Sequence, residues 1–225
     1  LKENIGHARS IATGLKFILE NDNFDYVIPM DSDGEDRPNE IKDLIKKVEP
    51  RSDLPIVCER VKRSEGIFFK FCYFSHKLIT FTFTGKSIRF GNFTCLPKEI
   101  VKKMVNEKAT WSSFSGALSK IAKIKIGIPS ERGSRYFGPS KMSFKNLVIH
   151  SLAIIAVFKF TVLFRSILFF LIYLFLIYEK ISIITLMPLF LIIIFNLSVF
   201  LISKRENLEN YKSSNQNILD IKNIK

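Results

Sequence analysis

The stretch Phe24–Pro38 reads FDYVIPMDSDGEDRP, a short apolar run that ends in a cluster of acidic residues. The apolar part, Phe24–Met30, has the composition of a buried β-strand. In α/β proteins, ligands lie beyond the carboxyl ends of the strands, so this order predicts a strand that delivers carboxylates to a site. Pro38 favours the first turn of a helix, which we expect over Asn39–Val48.

The flanking sequence continues this pattern. Ile5–Leu19 has apolar residues at helical spacing and predicts an amphipathic helix, and Leu54–Cys58 predicts a second short strand. The succession of helix, strand, helix and strand predicts parallel pairing of the two strands in an α/β fold. Three further elements are expected: strands over 93–96 and 124–128, and a helix over 98–105.

The composition changes near residue 143, where the chain becomes almost continuously apolar up to Ile202. Residues 144–160 still carry cations and predict a helix at the membrane interface. Val162–Tyr178 and Ile181–Ser203 are each long enough to cross a bilayer, and together they predict a helical hairpin. Lysines and arginines flank both outer ends, which by the positive-inside rule places both ends in the cytoplasm.

These observations predict four parts: a domain over 1–142, an interfacial helix over 143–161, two transmembrane helices over 162–203, and a polar cytoplasmic tail over 204–225. The tail is rich in Asn and Lys, and we expect it to be disordered. The aromatic stretch Ile67–Phe83 contains three basic residues, which favours a buried or membrane-facing helix over a complete span.

The net charge of +13 fits nucleic acid, an anionic membrane surface or phosphorylated substrates. No zinc-finger spacing or long basic run is present, so nucleic acid is not an expected partner. Membrane lipids and phosphate-bearing substrates are the better fit. The three cysteines match no metal or redox spacing, and the three histidines are too dispersed to predict a ligand set.

Asp31, Asp33 and Glu35 stand at alternate positions of the acidic cluster. On an extended turn, alternate side chains point the same way, so the three carboxylates can share one hard cation. Such oxygen ligands suit Mg²⁺ or Mn²⁺, which would also bind phosphate oxygens of a substrate. A solvated acidic loop is the alternative, because an isolated D-x-D is common.

Five segments carry a resemblance to a known family, in chain order: Asn4-x-Gly6 followed by Ala8, Ala12 and Gly14-Leu15; Asp31-x-Asp33-x-Glu35-Asp36-x-Pro38; Glu59-Arg60-Val61-Lys62-Arg63; Gly91-Asn92-Phe93; and Arg135-Tyr136-Phe137-Gly138-Pro139-Ser140-Lys141. Their order and spacing resemble those of the family 2 glycosyltransferases, in particular the polyprenyl-phosphate (dolichol-phosphate) sugar transferases. The resemblance covers roughly Asn4 to Ser203.

The resemblance implies a nucleotide-diphospho-sugar transferase (GT-A-like) mixed sheet, a nucleotide-diphosphate sugar donor and a bound Mg²⁺ or Mn²⁺. The implied metal ligands are Asp31, Asp33 and Glu35. The implied phosphate-binding residues are Arg60, Arg63, Arg135, Ser140 and Lys141, with Arg132 as an alternative to Arg135. The implied catalytic residues are Asp31, Asp33, Arg60 and Arg63. Trp111 lies where relatives place an acceptor-side loop, although packing explains a tryptophan there equally well.

The acceptor is inferred from a missing base. A sugar hydroxyl must lose a proton to a general base, whereas a lipid phosphate is already anionic. In the polysaccharide-forming relatives, an acidic motif later in the chain provides this base. Between Cys95 and Lys125 the acidic residues here are Glu99 and Glu107, and no Glu-Asp pair of that kind occurs. This favours a polyprenyl phosphate acceptor. The alternatives are a family 2 transferase that acts on a glycan or lipid hydroxyl, and a truncated, non-catalytic membrane protein.

Two features depart from the family pattern. Glu35 stands where many relatives have glutamine, and Pro139 where many have glutamate. The strands that bind the nucleotide base in relatives have no counterpart, so the resemblance implies an N-terminally truncated domain, and it leaves open whether this chain is active alone. The abundance of Lys, Ile, Asn and Phe suggests an AT-rich genome, for which a bacterial inner membrane is the simplest location. Relatives that associate through their membrane helices suggest a homo-oligomer.

Overall fold

The computed structural model describes residues 1–48, 53–62, 67–138 and 143–220. Contacts divide the chain into two units. Unit one comprises Leu1–Glu65, Ile88–Lys141 and Glu206–Lys225, and unit two comprises Gly66–Ser87 and Met142–Arg205. This division differs from the predicted one at residues 66–87 and at the C-terminal tail, as described below.

Unit one contains a mixed sheet of four strands within the described residues: β1 (Tyr26–Val27), β2 (Ile56–Lys62), β3 (Phe90–Pro97) and β4 (Ile126–Glu131). The strand order is β1-β3-β2-β4. β3 is antiparallel to both of its neighbours, whereas β2 and β4 are parallel. The predicted α/β class is confirmed. The predicted pairing of β1 with β2 is wrong, because β3 enters between them from the opposite direction.

The helices of the described residues are, in chain order, α1 (His7–Asn21), α2 (Ile41–Val48), α3 (Ile67–Thr84), α4 (Lys98–Asn106), α5 (Phe114–Ile121), α6 (Phe144–Ala156), α7 (Lys159–Ile177), α8 (Ile183–Ser203) and α9 (Leu208–Lys212). A 3₁₀ turn over Pro38–Glu40 precedes α2 and has the expected proline at its start. The predicted helices therefore form, with their ends shifted by at most four residues.

The core of unit one lies between α2 and one face of the sheet. Leu44 of α2 packs with Ile56 and Cys58 of β2 and with Phe93 and Cys95 of β3. The strand residues are two positions apart, so they point to the same face of the pleated sheet. Burial of each large apolar side chain contributes about 1.5–3 kcal/mol to the free energy of folding, and this stabilises the packing of α2 on the sheet.

The cysteines of this core allow a direct test. Burial raises the pKa of Cys58 to about 12, with the nearby charge of Glu40 adding to the effect, and burial raises the pKa of Cys95 to about 11. Since the thiolate is the reactive form, we expect iodoacetamide at pH 8 to leave both residues unmodified in the folded protein. Peptide mass spectrometry would measure the modification, with urea-unfolded protein as the control. Rapid native alkylation of Cys58 would contradict the core described above.

Unit two consists of α3, α6, α7 and α8, which pack on one another. Among the described residues, two helical stretches, Lys159–Lys180 and Ile183–Lys212, are long and apolar enough to cross a membrane. They include the predicted transmembrane hairpin, and most of their apolar side chains face outward. This exposed apolar surface supports association with a membrane.

An arginine explains why α3 belongs with the apolar helices. Nη1 of Arg165 on α7 donates a hydrogen bond of 2.9 Å to the carbonyl oxygen of Thr82 in the last turn of α3. Gly85 ends that helix with a φ of 70°, and a Cβ there would lie 2.8 Å from Nη2 of Arg165. A cation at a helix C-terminus is favourable, and an arginine in an apolar helix requires such a partner.

The described part of the C-terminal tail, up to residue 220, contains helix α9 and packs on unit one, contrary to the predicted disorder. Tyr211 of α9 is 1% exposed and stacks on Trp111 with ring centroids 5.6 Å apart. The nitrogen of Lys2 also donates a hydrogen bond of 2.8 Å to the carbonyl oxygen of Asn217. The polar composition of the segment did not predict this packing, because it depends on one aromatic residue, Tyr211, that stacks on a large buried ring.

Candidate functional site

The acidic loop, residues 31–37, follows β1 and is folded by its own carboxylates. The nitrogen of Asp31 donates to Oδ2 of Asp36 at 3.0 Å, and the nitrogen of Glu35 donates to Oδ1 of Asp33 at 3.0 Å. Gly34 lies between them with a φ of 93°. These local hydrogen bonds are typical of turns built by aspartate, and they keep the three predicted metal ligands within one compact turn.

The basic loop, residues 132–138, follows β4 and lies directly against the acidic loop. The nitrogen of Gly133 donates to the carbonyl oxygen of Glu35, and that of Tyr136 donates to the carbonyl oxygen of Asp33, each at 2.9 Å. Two segments about 100 residues apart in the chain are thus joined through their backbones. The fold brings together two of the five motifs on which the family resemblance depends.

Arginine side chains reinforce this junction. Arg135 donates from Nε to Oε1 of Glu35 at 3.0 Å and from Nη2 to Oε2 at 3.2 Å. Nη2 of Arg135 also lies 3.2 Å from Oδ2 of Asp33. Arg132 forms a further ion pair with Glu35. Arg132 and Arg135, which the sequence left as alternatives, both contact the same carboxylate, that of Glu35.

Gly34 is the position where this junction tolerates no side chain. A Cβ at Gly34 would lie 2.9 Å from the carbonyl oxygen of Ser134 and 2.9 Å from the ring of Tyr136, and the positive φ adds strain. We expect Gly34→Ala to lower the free energy of unfolding by about 1–3 kcal/mol. Gly14→Ala is the matched control, because Gly14 lies within α1 with no atom within 4 Å of its Cβ, and alanine favours the helix. Chemical denaturation would measure both, and equal effects would contradict the described junction.

The start of α1 meets the acidic loop from another side. Oδ1 of Asn4 accepts a hydrogen bond of 3.0 Å from the nitrogen of Gly6, whose φ of 88° turns the chain into the helix. The next residue, His7, has Nε2 3.6 Å from Oδ1 of Asp31 and contacts the amide of Asn92 on β3. His7 was not among the predicted site residues, because its spacing from the other histidines carried no signal. Its place directly after the Asn4-x-Gly6 turn is the clue that could have identified it.

Arg60 and Asp36 complete the cluster. Arg60 lies on β2 beside Gly91 of β3, where a Cβ would be 3.0 Å from Nη2 of Arg60, so glycine makes room for the guanidinium. Burial raises the pKa of Asp36, and the charges of Asp31 and Asp33 raise it further, whereas the hydrogen bond from the Asp31 nitrogen and the charge of Arg60 lower it. Asp36 is 7% exposed and shapes the loop, a role that the sequence did not indicate.

The residues present fit a divalent cation in part. Both oxygens of Glu35 are engaged by arginine, whereas the described arginine contact of Asp33 is to one oxygen, Oδ2, so Asp31 and Asp33 are the better candidate ligands. In the described part of the chain, no group of three His, Cys, Asp or Glu side chains is arranged to hold a metal ion. Mg²⁺ commonly binds through only one or two carboxylates together with substrate phosphates, and Asp31 and Asp33 suit that pattern.

The remaining predicted residues fall into two groups. Arg63, Ser140 and Lys141, together with Pro139, lie outside the described residues, so their assigned roles stay predictions. Trp111 is 4% exposed and is packed between Tyr211 and the guanidinium of Arg9, which lies 5.5 Å from its ring centroid. Of the two interpretations of Trp111, the structure favours packing.

Comparison with models of known protein families, with curated proteins and with solved structures finds no match for this chain. The function must therefore be argued from the site itself, since a fold alone does not determine an activity.

Proposed function

We propose that this chain serves as a membrane-bound, inverting glycosyltransferase that moves a sugar from a nucleotide-diphosphate donor to a polyprenyl phosphate. The observation that carries the proposal is the contact of the acidic loop with Arg132 and Arg135, with Arg60 close enough for its charge to act on Asp36. Carboxylates for a cation and guanidinium groups for phosphates are what transfer from a diphosphate donor to a phosphate acceptor requires. The two long apolar helices are what a lipid acceptor would require.

Each part of the cluster has a role in this proposal. Asp31 and Asp33 would hold Mg²⁺ or Mn²⁺, and the bound cation supplies charge stabilisation to the departing diphosphate. Arg60, Arg132 and Arg135 would bind phosphate oxygens, for which the planar guanidinium fork is suited.

The two acids that were candidates for that base are engaged elsewhere. Glu99 is paired with Lys102 at 2.6 Å on an exposed face of α4. Glu107 pairs with Lys120 at 2.9 Å, and its side chain also accepts a hydrogen bond from the nitrogen of Ala109. Neither is an uncommitted carboxylate, which supports an anionic lipid phosphate over a sugar hydroxyl as the acceptor.

The proposal extends to the setting of the enzyme. We place the catalytic unit and the C-terminus in the cytoplasm, the apolar hairpin in a bacterial inner membrane, and the reaction at the cytoplasmic leaflet. The cations that flank the apolar segment support this orientation, because cytoplasmic ends of membrane helices are enriched in lysine and arginine. Association of several copies through the membrane helices belongs to the same proposal.

The test is a transfer assay with membranes that contain the chain. A panel of radiolabelled nucleotide-diphosphate sugars would be supplied with polyprenyl phosphate and Mn²⁺, and the products would be separated into lipid and polymer fractions. We expect label in a mild-acid-labile lipid-phosphate fraction, with Asp33→Asn inactive and Asp43→Asn, an exposed carboxylate on α2, fully active. Label only in polymer would overturn the acceptor, and no transfer from any donor would overturn the activity.

A further inference from the structure

Glu35 is more enclosed than Asp31 and Asp33, whose side chains are 23% and 36% exposed. Arginine also engages it more fully than Asp33, of which Oδ2 lies 3.2 Å from Nη2 of Arg135. The side chain of Glu35 is 14% exposed, and both of its carboxylate oxygens are bonded to guanidinium groups. Arg135 binds it in a two-point arrangement and Arg132 adds a third contact. Such charge-assisted, two-point pairs are the strong hydrogen bonds of proteins, and they fix orientation as well as energy.

These contacts oppose a role for Glu35 in holding a cation. A cation at its oxygens would have to displace two arginines and would meet their positive charges at close range. The identity of the residue is consistent with this reading. A glutamine at position 35 would offer one neutral oxygen in place of two charged ones and would form no ion pair with either guanidinium group. The carboxylate at position 35 is matched to Arg132 and Arg135.

The contacts with Glu35 also set the orientation of the Arg135 guanidinium. Glu35 takes the edge of the guanidinium formed by Nε and Nη2, so the Nη1 side faces away from Glu35. A guanidinium carries five N–H donors in a rigid fork, and fixing one edge sets the direction of the other. The backbone contacts of Gly133 and Tyr136 hold the same loop in place.

We propose that Glu35 is a positioning residue that orients Arg132 and Arg135 toward the phosphate groups of the substrate, and that it is not a ligand of the cation. This inference rests on the proposed function, because it assumes a diphosphate-bearing substrate at the acidic loop. It assigns the two halves of the acidic motif to different tasks. Asp31 and Asp33 serve the cation, and Glu35 serves the arginines.

Two binding measurements on the full chain in detergent separate these roles. Free Mn²⁺ would be followed by electron paramagnetic resonance, and binding of pyrophosphate, the probe for the diphosphate, by isothermal titration calorimetry. We expect Glu35→Gln to weaken pyrophosphate binding about tenfold with Mn²⁺ affinity unchanged, whereas Asp33→Asn weakens Mn²⁺ binding. Glu99→Gln is the matched control, because it makes the same change on an exposed face of α4 and should alter neither value.

A second variant tests whether loss of folding, rather than loss of the arginine contacts, explains weakened pyrophosphate binding. Arg135→Lys keeps the charge but loses the two-point geometry, and we expect it to reproduce the weak pyrophosphate binding of Glu35→Gln with normal Mn²⁺ affinity. Loss of Mn²⁺ binding in Glu35→Gln to the level of Asp33→Asn would overturn the inference, as would wild-type pyrophosphate affinity in both variants. Weakened pyrophosphate binding without any sugar transfer by the wild-type chain would retain the role of Glu35 and reject the proposed activity.

Discussion

Asp33→Asn is expected to reduce sugar transfer by about a hundredfold to a thousandfold, while the acidic loop keeps its shape. Oδ1 of Asp33 accepts a hydrogen bond from the nitrogen of Glu35, and the amide oxygen of asparagine can accept the same bond. The substitution therefore removes a negative charge, and with it the ion pair to Arg135, without removing the hydrogen bond of the turn. A bound cation supplies several kcal/mol of charge stabilisation, and each 1.36 kcal/mol corresponds to a factor of ten in rate.

Initial rates over a Mn²⁺ titration would measure this effect. We expect a lower maximal rate and a higher Mn²⁺ requirement in Asp33→Asn than in the wild-type chain. Asp43→Asn controls for the change in charge, since Asp43 is exposed on α2 and its Oδ1 lies 3.8 Å from Nζ of Lys46. A wild-type rate with wild-type metal dependence in Asp33→Asn would mean that the cation, if one is required, binds away from the acidic loop.

The acidic and basic loops show what local sequence can reveal about the site. Asp33, Glu35 and Arg135 were selected from motifs, and the structure places them in contact. Their residue types alone, carboxylates after one strand and arginines after another, made a phosphate site a reasonable hypothesis. Their partners were not predictable, because pairing of Glu35 with arginine rather than with a cation depends on distances across 100 residues.

His7 and Asp36 were missed for different physical reasons. His7 reaches Asp31 only because the turn at Gly6 and the register of β3 bring α1 to the acidic loop. Asp36 stands in a run of charged residues, where nothing in the sequence indicates which carboxylate will be buried. Sequence patterns report the average environment of a segment, whereas the burial of one side chain is set by tertiary packing.

The fold class was predictable from the sequence, whereas the order of the strands in the sheet was not. The alternation of helices and strands indicated an α/β fold, but it could not reveal that β3 pairs with both β1 and β2. Consecutive elements are usually neighbours, and that tendency gave the wrong order here. The position of β3 matters for function, because it brings Gly91 beside Arg60 and Asn92 beside His7.

The second large effect concerns the C-terminal tail. We expect Tyr211→Ala to lower the free energy of unfolding of unit one by about 3–5 kcal/mol, the usual range for removing a buried aromatic side chain. The ring is 1% exposed and stacks on Trp111, so alanine would leave a cavity between α9 and the turn that carries the tryptophan. Unfolding in denaturant would measure the loss.

Trp111 provides a second measurement, because it is the single tryptophan of the chain. Loss of the stacked ring should expose its indole, shift its fluorescence to longer wavelength and increase its quenching by acrylamide. Tyr211→Phe is the matched control. The hydroxyl of Tyr211 is buried with no hydrogen-bond partner among the described residues, so its removal should cost nothing and even stabilise the fold slightly.

The two variants together separate docking of the tail from general damage. If the tail packs on Trp111 as described, phenylalanine preserves the emission spectrum and alanine changes it. An unchanged spectrum and stability in Tyr211→Ala would mean that the tail is not docked in solution, and the original expectation of a disordered segment would then be correct. Docking would make the residues after the second apolar helix part of the unit that carries the acidic loop, so shortening the chain at Arg205 should destabilise that unit.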